Sequence, residues 1–376
     1  MNRRQLLLIL AVVALVGFAG CLDAGDDIGA TDDSPDDTGA TNDVPSDDTE
    51  DAGEGDDSTT EPDGTLSFHH IDVGQADATL IVTPTNETIL IDTGDWRQDG
   101  SIVLEYLDQL NIDRIDHLVA THAHADHIGG HAAIIEEFES NRDGIGNIYD
   151  SGVAHTSQTY ENYLDAVDDH GHELLIVEEG DSLPLDSDSV TATVLNPPAG
   201  ESGSDLHENS VTLVFEFGDI RYLTTGDAEA ETETRLVDEW AAELAADIYH
   251  AGHHGSTTSS TESFMDAVDP DISVISSAFD SQYGHPHDEV LDRFAEMGIE
   301  TYWTGVHEDI VVRTDGDSVS VDPAVEESTD AASLKELKHS DAVNAIGTPM
   351  RLHSTAPLAV PEPPATTSLP TAVATG

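Results

Sequence analysis

The chain has 376 residues, enough for one large domain or two ordinary ones. It carries 77 acidic side chains against 12 Lys and Arg, a formal net charge of −65, which excludes stable binding of duplex DNA by phosphate neutralisation. The acids are spread along the whole chain; such self-repulsion is tolerable where salt shrinks the Debye length to about 3 Å, so the composition reads as that of a halophile's protein.

Residues 1–21 read as an export signal: Arg3 and Arg4, then an apolar run from Leu6 to Ala19, too short for a membrane span, which needs about 20 residues. The paired arginines resemble a twin-arginine signal, and Phe18-Ala19-Gly20-Cys21 resembles a lipobox. The expectation is export, with a lipid on Cys21 anchoring the protein to the outer face of the membrane. Cys21 is the single cysteine, so no intrachain disulfide forms. Residues 22–64 hold 17 acids and no Lys, Arg or aromatic residue, and read as a disordered tether.

From Thr65 short apolar runs recur: Ala78 to Val82, Thr88 to Ile91, Leu118 to Ala120, Val190 to Leu195, Val211 to Phe217, Tyr222 to Thr225, Ile248 to Tyr249 and Ile272 to Ile275. Several are β-branched and bounded by Gly, Asp or Pro, and they read as strands. His69 and His70 belong to a further strand before Asp72. Between the strands lie helical stripes, Ile102, Tyr106, Leu107 and Leu110 in one and Leu236, Val237, Trp240 and Leu244 in another. Phe217-Gly218-Asp219 and Asp315-Gly316-Asp317 look like hairpin turns. The mixture indicates an α/β or α+β layered domain over 65–322. Residues 323–376 read as a mostly disordered tail with a short helix around Ala331 to Lys338.

The chemistry concentrates in Thr121 to His131, where His122-x-His124-x-Asp126-His127 follows a strand. On a loop leaving a strand, His122 and His124 can face one metal while Asp126 and His127 face another. Imidazole and carboxylate suit zinc, and also manganese or iron. Gly129 and Gly130 let a helix start close to such a site. His131 is expected at the surface of that helix.

H-x-H-x-D-H resembles the signature of the metallo-β-lactamase superfamily. The likeness is closer to the metallohydrolase domain of the ComEC DNA-uptake proteins. Asp72-Val73-Gly74-Gln75-Ala76-Asp77 resembles that branch's DVGQGD, Ile91-Asp92-Thr93-Gly94 its IDTG, and Leu223-Thr224-Thr225-Gly226-Asp227 its LLTGD. His253-His254-Gly255-Ser256 resembles its HHGS and Tyr283-Gly284-His285-Pro286 its YGHP. Ala76 departs from the branch's glycine, and the branch's channel-forming membrane core has no counterpart among these stretches. The resemblance implies a four-layer αββα sandwich with two divalent metal ions, zinc before manganese or iron, at one edge of two facing sheets.

It also implies that Asp227 bridges both metals, that His254 or His253 completes the second, with His254 preferred and His253 facing substrate, and that His207 or Asn209 completes the first. Asp72, Asp77 and Asp92 are candidates to orient the ligand imidazoles. His285, steadied by Tyr283, can hydrogen-bond a phosphoryl oxygen or protonate a leaving group. The function expected is a hydrolase outside the cell, acting through a hydroxide shared by the metals. Asp126, Asp227 and His285 would be central to catalysis, and a small-molecule or nucleic-acid phosphodiester the substrate. A lactone, β-lactam or thioester hydrolase on the same site, and a non-catalytic metal- or ligand-binding lipoprotein, are the alternatives.

Overall fold

The computed structural model describes residues 63–200 and 203–340, so the export signal and nearly all of the expected tether lie outside the described residues. Eight strands form one sheet in the order β14-β13-β1-β2-β3-β4-β5-β6: β1 Leu66–His70, β2 Thr79–Val82, β3 Thr88–Ile91, β4 Ile115–Val119, β5 Ile145–Asp150, β6 Leu174–Ile176, β13 Ile310–Thr314 and β14 Val319–Pro323. Six form the other, in the order β12-β11-β10-β9-β8-β7: β7 Val190–Asn196, β8 Thr212–Phe217, β9 Ile220–Thr224, β10 Ile248–His250, β11 Ile272–Ile275 and β12 Glu300–Trp303. Strands β3 to β6 run parallel in the first sheet and β9 to β12 in the second. The runs Thr88–Ile91 and Ile272–Ile275 are buried throughout because a parallel strand covered on both faces has no solvent side.

Three apolar clusters show the layering. Phe68, Ile81, Ile91, Leu213, Phe215 and Tyr222 lie between the two sheets, and Phe68 stacks on Tyr222 with ring centroids 4.0 Å apart. On the outer face of the first sheet pack α1 (Ser101–Gln109), α2 (His131–Asn141) and α3 (Gln158–His170), through Leu107, Ile134, Phe138 and Tyr163. On the outer face of the second pack α4 (Ala230–Leu244), α5 (Glu262–Val268) and α6 (Asp288–Met297), through Leu236, Phe264 and Phe294. The order helix, sheet, sheet, helix is the expected αββα sandwich. Both expected hairpins form, Phe217 pairing with Ile220 and Thr314 with Val319.

Order does not stop at Asp322, as the composition suggests. After a short helix α7 (Thr304–His307) and strands β13 and β14, helix α8 (Ala331–Lys338) packs on the second sheet's helical layer through fully buried Ala331 and Leu334. This is the short helix expected around Ala331 to Lys338, held to the domain by two apolar anchors three residues apart. Residues 341–376 lie outside the described residues.

Candidate metal centre

The loops after β3, β4, β9 and β10 meet, in keeping with the placing of sites at the carboxyl ends of parallel strands. The loop after β4 must pass close to the loop after β3. A Cβ on Gly129 would overlap the Trp96 backbone nitrogen, and one on Gly130 the backbone of Gly100. The paired glycines are therefore a condition of the loop's path. Thr93 accepts the Gly130 N–H at 3.1 Å, and its hydroxyl lies 2.7 Å from His131 Nδ1. His131 is thus the first residue of α2 and fully buried against Tyr163, not the surface residue expected.

Two groups of donors result. His122, His124, His207 and Asp227 bring ligand atoms within 4.8 Å of one another, and so do Asp126, His127 and His254. His124 Nδ1 lies 2.9 Å from His122 Nε2 and 3.2 Å from His207 Nε2. Asp227 stands between the groups: Oδ2 is 3.6 Å from His122 Nε2, and Oδ1 is 3.2 Å from His127 Nε2 and 3.8 Å from His254 Nε2. His127 Nε2, His254 Nε2 and Asp227 Oδ1 are buried, converge, and make no hydrogen bond. Buried polar atoms rarely go unpaired, and three that share one small volume fit a cation. The donor set, imidazole and carboxylate with no thiolate, suits zinc, manganese or iron.

The residues between which the sequence left a choice take different places, although His253 Nε2 also lies 3.6 Å from Asp227 Oδ2. His207 joins the first group, whereas Asn209 is fully buried and its side-chain amide donates to the Asp205 carbonyl at 2.7 Å. His254 is buried in the second group. His253, in the turn Gly252–Gly255, lies nearer solvent with Nδ1 3.0 Å from Thr258 Oγ1 and 3.2 Å from Glu229 Oε1. Both histidines take left-handed backbone, φ 50° and 56°, a strained arrangement for two non-glycine residues in succession. The Ser256 hydroxyl faces that of Thr258 at 3.0 Å.

Of the three acids expected to orient ligands, Asp92 does so directly. Its Oδ2 accepts from His127 Nδ1 and Thr121 Oγ1, both at 2.7 Å, and its Oδ1 from the Thr121 N–H at 2.9 Å. The Ser276 carbonyl plays the same part for His254 Nδ1 at 2.9 Å. Each bond leaves Nε2 of its imidazole free to ligate. Asp77 is buried beside Asp92 and His127, and its Oδ2 lies 3.4 Å from His250 Nε2. Asp72 accepts the Gly74 N–H at 3.0 Å.

Charge follows this packing. Burial alone would raise the Asp227 carboxyl, but the His127 and His254 imidazoles outweigh it and hold the group well below the usual carboxylate range. Burial depresses His127, yet Asp227 and Asp92 beside it drive it well above its ordinary value. His122, buried among other imidazoles, is held well below. Negative charge thus concentrates on Asp227, between the two imidazole groups.

His285 is buried beside His253 and His254. Its ring centroid is 6.2 Å from that of His254 and 5.8 Å from that of His253, and Gln75 Nε2 lies 3.3 Å from its Nδ1. Tyr283 is 5.7 Å away, ring to ring, and 58% exposed, a rim residue; Gln75, not singled out from the sequence, is what touches the imidazole.

Comparison with known proteins places this geometry. The chain is 28% identical over 250 residues to ComE operon protein 3 of Bacillus subtilis, a match taking in 62% of this chain and 31% of that protein. It is 28% identical over 230 residues to competence protein ComA of Neisseria gonorrhoeae, with 61% of this chain and 29% of that one covered. The chain therefore spans about a third of the length of these relatives. Among solved structures, CmlA, a diiron β-hydroxylase from Streptomyces venezuelae, aligns with a TM-score of 0.44 at 15% identity, over 67% of this chain and 55% of that one. The sequence pattern of the metallo-β-lactamase superfamily matches residues 71–278, which include all four donors of the H-x-H-x-D-H loop, Asp227 and His254. With that match over more than half of its length, the chain belongs to the metallo-β-lactamase superfamily.

Proposed function

We propose that the protein is a metal-dependent phosphodiesterase or nuclease working outside the cell. The reading rests on one observation: the two oxygens of Asp227 face different histidine groups, as a carboxylate shared by two cations requires. Two divalent cations at such a site supply Lewis acidity toward a phosphoryl oxygen and lower the pKa of water toward neutrality. His122, His124 and His207 would hold one, Asp126, His127 and His254 the other, and Asp227 both. Asp92 and the Ser276 carbonyl orient His127 and His254, so that neither of these imidazoles has to turn when substrate arrives. His253 and His285 lie beside His254. Gln75, donating to Nδ1 of His285, leaves the ring's N–H at Nε2, where it can donate a hydrogen bond to a phosphoryl oxygen.

A phosphodiester is favoured by the resemblance of the HHGS and YGHP stretches to the ComEC branch, and by relatives named as competence proteins. Positive charge from the cations offsets the acidic surface inside the cleft, which lets so anionic a protein accept an anionic substrate. Export and a lipid on Cys21 complete the proposal; Cys21→Ser should move the protein from the membrane fraction to the medium.

The test of activity is the protein purified in molar KCl, loaded with zinc or manganese, and given bis-p-nitrophenyl phosphate, plasmid DNA and nitrocefin. Phosphodiester turnover that falls at least 100-fold in Asp126→Ala is the expected result. Turnover of nitrocefin alone would move the protein to β-lactam chemistry, and no turnover with any metal would leave a binding protein.

A further inference from the structure

We propose that helix α8 is a working part of the site, its Lys338 serving as a positioning residue for His285. The inference rests on the role given to His285 above. Lys338 Nζ donates to the carbonyls of Gly284 at 2.9 Å and Pro286 at 2.7 Å, the residues on either side of His285, and to Asp288 Oδ1 at 3.0 Å. An ammonium has three N–H donors, and all three are committed here. Two of them pin the backbone immediately before and after the histidine. The side chain is only 14% exposed, which shields these bonds from water.

The helix that delivers Lys338 is itself secured. Leu334 and Ala331 are buried in the second sheet's helical layer. Lys335 Nζ lies 2.7 Å from both carboxylate oxygens of Asp292, and His339 Nε2 lies 2.8 Å from Asp288 Oδ2. Asp288 and Asp292 belong to α6, which begins just after the His285 loop. The loop is thus gripped between α6 and α8. On its other side the remaining bonds to His285 are long: its N–H reaches Ser281 Oγ at 3.3 Å and its Nδ1 meets Gln75 at 3.3 Å. The His287 N–H bond to the Gly255 carbonyl at 2.8 Å holds the loop's end, and Lys338 alone adds short side-chain bonds to both carbonyls flanking His285, which steadies the ring beside His254. In a chain with 12 Lys and Arg among 376 residues, this cation serves backbone carbonyls more than a carboxylate, a use that surface solubility does not require.

The experiment compares Lys338→Met, which keeps the stem and drops the donors, with Lys338→Arg, His285→Ala and the double variant. Lys338→Met should lower kcat for bis-p-nitrophenyl phosphate about 10- to 100-fold, the cost of misplacing a group by about 1 Å, with bound metal unchanged and part of the loss restored in Lys338→Arg. In the His285→Ala background the same change should cost nothing more, because a residue acting through another is silent once that other is gone. An equal loss in both backgrounds overturns the proposal. Amide hydrogen exchange of residues 281–287 gives a reading free of turnover: it should quicken in Lys338→Met, and unchanged exchange overturns the clamp whatever the substrate. Should the wild-type protein turn over no phosphodiester, the functional reading fails and the exchange still decides the clamp. If Lys338→Met does not fold, Asp292→Asn releases Lys335 at an exposed site; faster exchange over 281–287 is again expected, and none counts against the proposal.

Discussion

Asp92 shows how much one carboxylate can carry. It takes left-handed backbone, φ 57°, to bring Oδ2 to His127 Nδ1 while Oδ1 holds the Thr121 N–H. Asp92→Asn can still accept, but it loses the charge that makes the His127 bond strong and holds Nε2 inward. Metal affinity measured by equilibrium dialysis should fall about 10- to 100-fold, with the fold intact by circular dichroism; unchanged affinity would remove Asp92 from the site. Asp150 works in the opposite sense and away from the donors. Burial pushes its carboxyl up to about 6, against the pull of the Gly152 N–H that it accepts at 2.7 Å. The folded state therefore holds this proton more tightly than the unfolded chain. Its contribution is present below about pH 4 and is lost as pH rises to about 6, a cost of about 3 kcal/mol when complete. Asp150→Asn keeps the acceptor without the charge. Thermal melts from pH 4 to 7 should show the variant level with the parent at the acid end and more stable at the neutral end; parallel curves would contradict the assignment.

Among elements, the segment from β3 through α2 does most to build the site. The apolar runs of β3 and β4 are legible because each is buried nearly from end to end, and the H-x-H-x-D-H loop because its four donors lie within six residues. Gly129 and Gly130 mark a close approach in the sequence, and the contact proves to be backbone on backbone, with no flexible side chain to give way. Gly130→Ala should therefore cost about 1–3 kcal/mol, the range of overpacked cores, and also lower metal occupancy, since relief requires the loop to retreat. Calorimetry with elemental analysis checks both, and loss of stability with full metal content would separate the glycine from the site. His131 escapes a reading of the sequence, and so does the anchoring of α8, whose helix itself is legible. His131 looks polar at a helix start, yet Thr93 and Tyr163, both far away in sequence, bury it. Helix α8 has two buried apolar residues, and its remaining hold comes from ion pairs with α6, which leave no periodic trace.

For the whole molecule, charge is the controlling quantity. A chain at −65, with 77 acids against 12 Lys and Arg, repels itself, and on the high-salt reading screening relieves the packed form. The melting temperature should rise as KCl goes from 0.1 M, where the Debye length is about 10 Å, to 1 M, where it is about 3 Å. A melting temperature that stays flat across that range would contradict the high-salt reading.

Composition alone argues against a phosphate-neutralising DNA binder, and local spacing points to a cluster of metal-ligand donors and to most of the strands, because those properties depend on residues close together in the chain. Which histidines group around Asp227, that its two oxygens face different groups, and that Lys338 bonds the His285 loop were decided by tertiary structure alone. These contacts join residues dozens to hundreds of positions apart, and only the packing of two sheets brings their loops to one edge.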